Sequence, residues 1–292
     1  MSRYALYLLI LLIALPTFAQ DDIHLISDIP YVGNGHESQT LDIYLPSNYD
    51  DPLAIILMVH GGGFIAGDKS EMQGASEHYA SLGYAVIAPN YRLAPEFIYP
   101  SAHADVFCAL AWTLAHAEDY NLDSAQLFLM GESAGANIIA LLATIDDPNT
   151  LVTNCDYTLP DSLDIQAVFA LYMPVDLNSC ECQLAKQLAS IYLDVNVSDW
   201  LDSETQDLWQ SASIINKLDK GDPAFYLIHG ANDFLVPVSE SEFFATHYQA
   251  VGGEAELVVF EGANHGFFTT ISSAYTQEAL GIIDGWLDSF EG

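Results

Sequence analysis

From residue 53 onward, short apolar runs with strand character alternate with segments whose apolar residues recur at helical spacing. That alternation leaves few architectures open. Strand character falls at about 25–32, 38–45, 53–60, 84–90, 126–131, 165–172, 224–230 and 255–260, and helical spacing at 70–82, 101–119, 133–145, 238–251 and 274–290. A strand that returns parallel to its predecessor needs a crossover, so the order predicts an α/β fold: a mostly parallel eight-stranded sheet flanked by helices. "LAIILMVH" and "AVFALY" are apolar throughout, as expected of strands covered on both faces. The first two runs are joined by a short stretch around Gly33, Asn34 and Gly35, which predicts an antiparallel hairpin at the start of the sheet.

Between the sixth and seventh runs lie some fifty residues, far more than an ordinary crossover loop needs. Leu184, Leu188, Ile191 and Tyr192 recur there at helical spacing, and Trp200 and Trp209 add apolar bulk. This predicts a small helical cap, inserted at about 178–220, over one end of the sheet. The chain opens with Arg3, an apolar stretch from Ala5 to Pro16, and small residues up to Ala19. That pattern predicts a signal peptide over 1–19, since a bilayer span needs roughly 20 apolar residues. Residues 20–292 are then expected to form one catalytic domain in a secreted or periplasmic protein.

Six Lys and Arg face 40 Asp and Glu, a formal net charge of −34. Such a surface repels phosphate backbones, which excludes nucleic acid as a partner, and its self-repulsion is best screened in salt-rich surroundings. The four cysteines, Cys108, Cys155, Cys180 and Cys182, lack zinc-type spacing. Cys108 falls within an apolar helical pattern and is expected to be buried, while in an oxidising compartment Cys155 is expected to bridge to Cys180 or Cys182.

In parallel sheets, ligands bind beyond the carboxyl ends of the strands. "GESAG", from Gly131 to Gly135, lies at such an end, with a strand before it and a helix after it. It fits G-x-S-x-G, in which the glycines let strand turn sharply into helix and leave the Ser133 hydroxyl exposed at the apex. A hydroxyl needs a neighbouring base to become a useful nucleophile, and that base needs a carboxylate to orient it. "FEGANHGF" places His265 in a Gly-flanked loop after the last strand, and "IHGANDFLVP" places Asp233 after the seventh. Asp176, after the sixth strand, is the alternative acid. His229 precedes Gly230 at a strand end and is assigned a structural role. "HGGGF", from His60 to Phe64, follows the third strand and offers main-chain N–H groups to a developing oxyanion. The expected donors are Gly62, Gly63 and Ala134.

With these motifs on the page, the chain resembles the α/β-hydrolase superfamily, and within it the hormone-sensitive-lipase-like esterases, over nearly all of its length after the leader. "NYRLAPEFIYPSAHAD", residues 90–105, resembles the stretch these esterases carry after the fourth strand; "HGANDFLVP" resembles their acid loop and "NHGF" their histidine loop. The resemblance implies that Arg92 and Asp105 hold the scaffold around the nucleophile rather than react. Members of that group usually carry a helical segment before the first strands. Here only a few residues separate the expected cleavage site from the first strand, a departure that points away from large lipids and toward secreted esterases of the BD-FAE type, which act on acetyl or feruloyl groups of plant polysaccharide.

The function expected from the sequence is a secreted serine carboxylic ester hydrolase for small or short-chain acyl esters, working through an acyl-enzyme with no metal or organic cofactor. An acetylxylan or feruloyl-type polysaccharide esterase is one alternative, a formamidase or peptidase on the same scaffold another. A non-catalytic binding protein that keeps the fold is the third, disfavoured because Ser133, His265 and Asp233 are all present.

Overall fold

The run Leu53–Val59 (β3) lies in the middle of the sheet, apolar and covered on both faces. Its alternate residues point to opposite sides: Ile55, Leu57 and Val59 join one core, and Ile56 and Met58 the other. The computed structural model describes residues 23–177, 183–196 and 202–290. The expected leader, Cys180, Cys182 and Trp200 lie outside the described residues.

The other strands are β1 (Ile23–Pro30), β2 (Thr40–Pro46), β4 (Ala85–Pro89), β5 (Leu122–Glu132), β6 (Ile165–Leu171), β7 (Ala224–Gly230) and β8 (Ala255–Phe260). They form one eight-stranded sheet in the order β1-β2-β4-β3-β5-β6-β7-β8. β1 and β2 pair antiparallel, as expected of the hairpin, with Ile26 opposite Ile43. β2 also pairs antiparallel with β4, and all remaining pairs are parallel. β5 begins four residues before the expected run. Leu122 and Asp123 pair with Leu53 and Ala54 of β3, and the exposed residues Ser124, Ala125 and Gln126 bulge out before the ladder resumes at Leu127, so no continuous apolar signal marks this start.

Two helices cover one face, α1 (Gln73–Ser81) and α7 (Ala274–Asp288); three cover the other, α2 (Ser101–Ala115), α3 (Ala134–Thr144) and α6 (Ser239–Val251). A short 3-10 turn, Lys69–Met72, precedes α1. Helices α4 (Gln183–Leu193) and α5 (Ser203–Ala212) lie between β6 and β7, in the segment expected to form the cap. They enclose a satellite cluster of Leu177, Ala189, Leu193, Trp209 and Ala212. The buried face of α4 is offset from the expected stripe: Ala189, Tyr192 and Leu193 turn inward, whereas Leu184 and Ile191 stay exposed. Among the described residues no helix is long and apolar enough to cross a membrane.

The expected pairing of Cys155 with Cys180 or Cys182 is overturned. Cys155 is bonded to Cys108, with Cα atoms 5.8 Å apart at a sequence separation of 47. Cys108 is buried in α2 as expected, but the segment after α3 folds back across that helix, with Leu151, Val152 and Tyr157 packed against the same core. Helical burial hid the partner because that return path leaves no periodic trace in the sequence.

Candidate active site

Ser133 stands at the junction of β5 and α3 with φ +51° and ψ −118°, a conformation an L-residue holds only when its surroundings fix it. The flanking glycines provide that fixing by close approach. A Cβ on Gly135 would overlap the carbonyl oxygens of Val59 and His60, and one on Gly131 would lie 2.8 Å from the Gly135 carbonyl. Strand β3, the turn and α3 are therefore in direct backbone contact, and the Ser133 hydroxyl is aimed beyond the strand ends.

His265 follows β8 and Asp233 follows β7, so both loops emerge at the same edge of the sheet as Ser133. The Ser133 Oγ lies 2.8 Å from His265 Nε2, and His265 Nδ1 lies 2.7 Å from Asp233 Oδ2. A carboxylate facing Nδ1 places the ring proton there, which leaves Nε2 free to accept from the hydroxyl. Asp233 is held by more than the imidazole. Its Oδ1 accepts from the N–H groups of Leu235 (2.9 Å) and Val236 (2.8 Å), and its Oδ2 lies 3.3 Å from His229 Nε2. Burial alone would raise this carboxyl, but hydrogen bonds from His229 and His265 outweigh it and hold Asp233 below the usual carboxylate range. The structural role expected for His229 thus includes contact with the acid: its Nδ1 is 2.7 Å from Ser241 Oγ and its Nε2 is 2.9 Å from the Val236 carbonyl. Asp176 is placed elsewhere. Its carboxylate accepts from Ser213 Oγ at 3.1 Å, and it takes no part in the chain from Ser133 to Asp233.

Gly62 and Gly63 have φ of +109° and +61°, which glycine adopts freely. This left-handed course turns the loop past Ser133, and a Cβ on Gly62 would overlap the Ala66 carbonyl. Among the described residues neither the Gly62 nor the Gly63 amide donates a hydrogen bond. Ala134 is the first residue of α3, where N–H groups have no partner within the helix. Of the three expected donors, Gly63 and Ala134 line the same recess as Ser133, and Gly62 lies between Gly63 and Gly61, which sits against the Ser133 Cβ.

The loop is braced from behind. Tyr91 donates its O–H to the carbonyls of His60 (3.0 Å) and Gly61 (2.9 Å), and its ring stacks on the His60 imidazole at 4.2 Å. Burial pushes His60 down to about 4, so the imidazole is neutral at ordinary pH, with Nδ1 donating to the Gly61 carbonyl at 2.8 Å. Arg92 grips Asp105 through Nε and Nη2, both at 2.8 Å, and Gln39 donates to the same carboxylate at 2.7 Å. That bidentate pair anchors the 90–105 segment, as the resemblance implied.

Two residues beside the triad were not singled out from sequence. Glu132, the x of G-x-S-x-G, is 3 % exposed and accepts from the Tyr172 hydroxyl. Burial pushes its carboxyl up to about 7 against the pull of the Tyr172 and Gly61 donors. Only the acidic residue itself is visible in the sequence; its partner is brought up by the sixth strand.

Gly63, Phe64, Ala134, Pro174, Leu177, Leu188 and Ala189 line an apolar recess of about 30 Å³ that opens on Ser133. Leu188 of α4 hangs directly over Gly63. Tyr192 stacks on Phe64 at 4.3 Å and hydrogen-bonds His103 Nδ1 at 2.8 Å, so the cap is pinned to the glycine loop and to α2. Among the described residues no group of three or more His, Cys, Asp and Glu side chains converges as metal ligands would.

Comparison with known proteins places this geometry among its relatives. The BD-FAE family model matches residues 41–248, and the dienelactone hydrolase family model matches residues 210–290. The chain is 26% identical to esterase LipC of Mycobacterium tuberculosis over 237 residues, which is 79% of this chain and 57% of LipC. It is 25% identical to ethyl acetate hydrolase of Pseudomonas putida, covering 85% of this chain and 77% of that protein. The chain spans little more than half the length of several curated relatives it matches. Among solved structures, a truncated carbohydrate esterase from gut microbiota superimposes with a TM-score of 0.72 at 24% identity, covering 91% of this chain and 98% of that one. Esterase B of Lactobacillus rhamnosis superimposes with a TM-score of 0.76 at 21% identity, covering 92% of this chain and 86% of that one. At such identities the two structures speak to the fold, which they share.

Proposed function

The chain belongs to the BD-FAE family, and from that premise we propose that it is a serine carboxylic ester hydrolase that removes short acyl groups through an acyl-enzyme. The observation that carries the reading is the unbroken hydrogen-bonded chain from Ser133 through His265 to Asp233. In it, Ser133 Oγ attacks the ester carbonyl carbon while His265 Nε2 takes the hydroxyl proton. Asp233 steadies the imidazolium, and the amides of Gly62, Gly63 and Ala134 receive the oxyanion. His265 then hands its proton to the departing alcohol, and water, activated by the same imidazole, releases the acid. Short acyl groups suit the small apolar recess that Phe64, Leu177 and Leu188 line beside Ser133. The name of the Pseudomonas putida relative, ethyl acetate hydrolase, agrees with that size.

A second reading, a polysaccharide-borne acyl group, is favoured by one feature. Beside the loop that follows His265 runs an open cleft lined by Ser70, Glu71, Gln73, Glu77 and Thr269, polar groups suited to sugar hydroxyls. The resemblance of the fold to a carbohydrate esterase accompanies it. Export fits both readings: a leader-like N-terminus stands beside a Cys108–Cys155 disulfide of the kind that persists in oxidising compartments.

A nitrophenyl ester series of increasing acyl length, run with acetylated xylan and methyl ferulate, tests the proposal. Acetate to butyrate esters should be cleaved fastest, and Ser133→Ala should abolish turnover. An inert wild type, or a Ser133→Ala variant as active as wild type, overturns it. Preference for xylan or ferulate over every small ester selects the second reading.

A further inference from the structure

Glu132 is one residue from the nucleophile, yet its carboxyl faces away from the reacting atoms and into the protein. Oε2 accepts the Tyr172 O–H, and Oε1 accepts the Gly61 N–H at 3.4 Å. Gly61 begins the glycine loop, and its carbonyl is already fixed by Tyr91 and His60. Tyr172 follows β6 with φ +40°, its N–H donating to the Ile228 carbonyl at 2.8 Å. That backbone turn stands the phenol ring edge-on against the His265 imidazole, with centroids 4.8 Å apart, and against Phe267 at 5.0 Å. One buried carboxyl thus touches the glycine loop directly and the imidazole through a single ring.

We infer that Glu132 and Tyr172 are positioning residues that clamp the nucleophile turn, the glycine loop and His265 into one unit. The inference rests on the hydrolase reading for its catalytic meaning, but the clamp itself is a property of the folded chain. Both neighbours of the carboxyl donate to it, so the clamp is matched to the ionised acid; a proton on Glu132 changes the contact with Tyr172, whose hydroxyl must then accept from the acid O–H or turn away. The groups facing it are few and named: Glu71, from the turn before α1, repels its charge, the Tyr91 phenol lies close by, and Asp233 bears on Tyr172 from the acid loop. Burial, the main cause, carries its titration up to about 7. Loss of the clamp lets His265 rotate on its loop. A misplaced base of that kind lowers kcat on the order of 10- to 100-fold while leaving KM nearly unchanged.

The test is an NMR titration of the His265 imidazole between pH 5 and 9 in the full chain, for wild type, Glu132→Gln and Tyr172→Phe. In wild type the His265 signal should show two inflections, its own and that of Glu132. Glu132→Gln should erase the second, and Tyr172→Phe should reduce its amplitude. A single inflection in wild type, with superimposable curves in the variants, overturns the clamp. Should Glu132→Gln fail to fold, Tyr172→Phe decides by the same comparison. This readout needs no turnover, so a chain that cleaves no ester would refute the hydrolase reading while leaving the clamp to stand or fall on the titration. Where esters are cleaved, the acid limb of log kcat/KM should steepen toward a two-proton slope in wild type and fall to one in Glu132→Gln. A merely structural role would lower activity in the variants without changing that slope.

Discussion

The rim that carries Ser133 and the cap that covers it are built by different rules. At the rim, backbone meets backbone: Gly131, Gly135 and Gly62 each lie where a Cβ would collide with main-chain atoms, and Asp233 accepts from two amides and two imidazoles. In the cap, side chains meet side chains around a five-residue cluster, and α4 leaves Leu184 and Ile191 in solvent. Dense main-chain packing resists small displacements, whereas a small amphipathic layer can be repacked. The difference teaches that the proposed chemistry and the proposed acyl selectivity sit in separable parts of the fold, the first at the rim and the second in the cap.

The largest expected effect lies at the rim. Ser133→Ala or His265→Ala should lower kcat by about 10⁴- to 10⁶-fold with little change in Tm, measured by ester hydrolysis and thermal unfolding. A large loss of Tm instead would mean that rim chemistry and rim packing cannot be separated. Next comes Gly62→Ala, which strains a residue at φ +109° and pushes against the Ala66 carbonyl. Displacing the oxyanion donors should cost kcat about 10²- to 10³-fold, or ~2.7–4 kcal/mol, with acyl-length preference unchanged.

Glu132 gives a stability test of the same contrast. Its carboxyl titrates near 4.5 when free and near 7 in the fold, so the folded chain holds the extra proton between those values. The stabilisation from that proton is complete below about pH 4.5 and is lost as pH rises through 7, on the order of 3 kcal/mol. The Tm of Glu132→Gln relative to wild type should therefore rise between pH 5 and pH 8, while a cap variant should show no such trend. The smallest effect belongs to the cap. Leu188→Ala opens the recess above Gly63 and should shift the acyl-length optimum upward by changing KM about 10-fold or less, with kcat on acetate esters nearly constant. If kcat falls as far as in Gly62→Ala, the cap is part of the rim after all.

The inner strands were legible because burial writes its pattern into the sequence, and the exposed β1 was legible from its pairing with β2 across a short turn. The start of β5 was missed because the buried Leu122 is cut off from Leu127 by an exposed bulge, which breaks the pattern. Ser133, His265 and Asp233 were legible from their loops: glycine and strand-end context mark where a side chain must emerge, and the structure brings the three together. The cap was legible as helices but not in its facing, because Tyr192 is drawn in by Phe64, a contact no helical spacing encodes. Glu132–Tyr172 and Cys108–Cys155 were illegible for a shared reason. Each joins residues whose local sequences are ordinary and whose meeting is decided by the path of intervening chain.

The hydroxyl of Ser133 and its base are separated by 132 residues, and three further strands must be laid on the sheet before they touch. Contacts of such long range are among the slowest to gain in a folding chain, because the loop they close is costly in entropy. A partly folded molecule that lacks β6 to β8 therefore holds Ser133 without the Leu171 carbonyl that fixes its N–H and without the imidazole that the proposed chemistry needs. Regain of hydrolysis after dilution from denaturant should trail the return of helix and sheet signals, which makes turnover a late clock for the maturation of this chain.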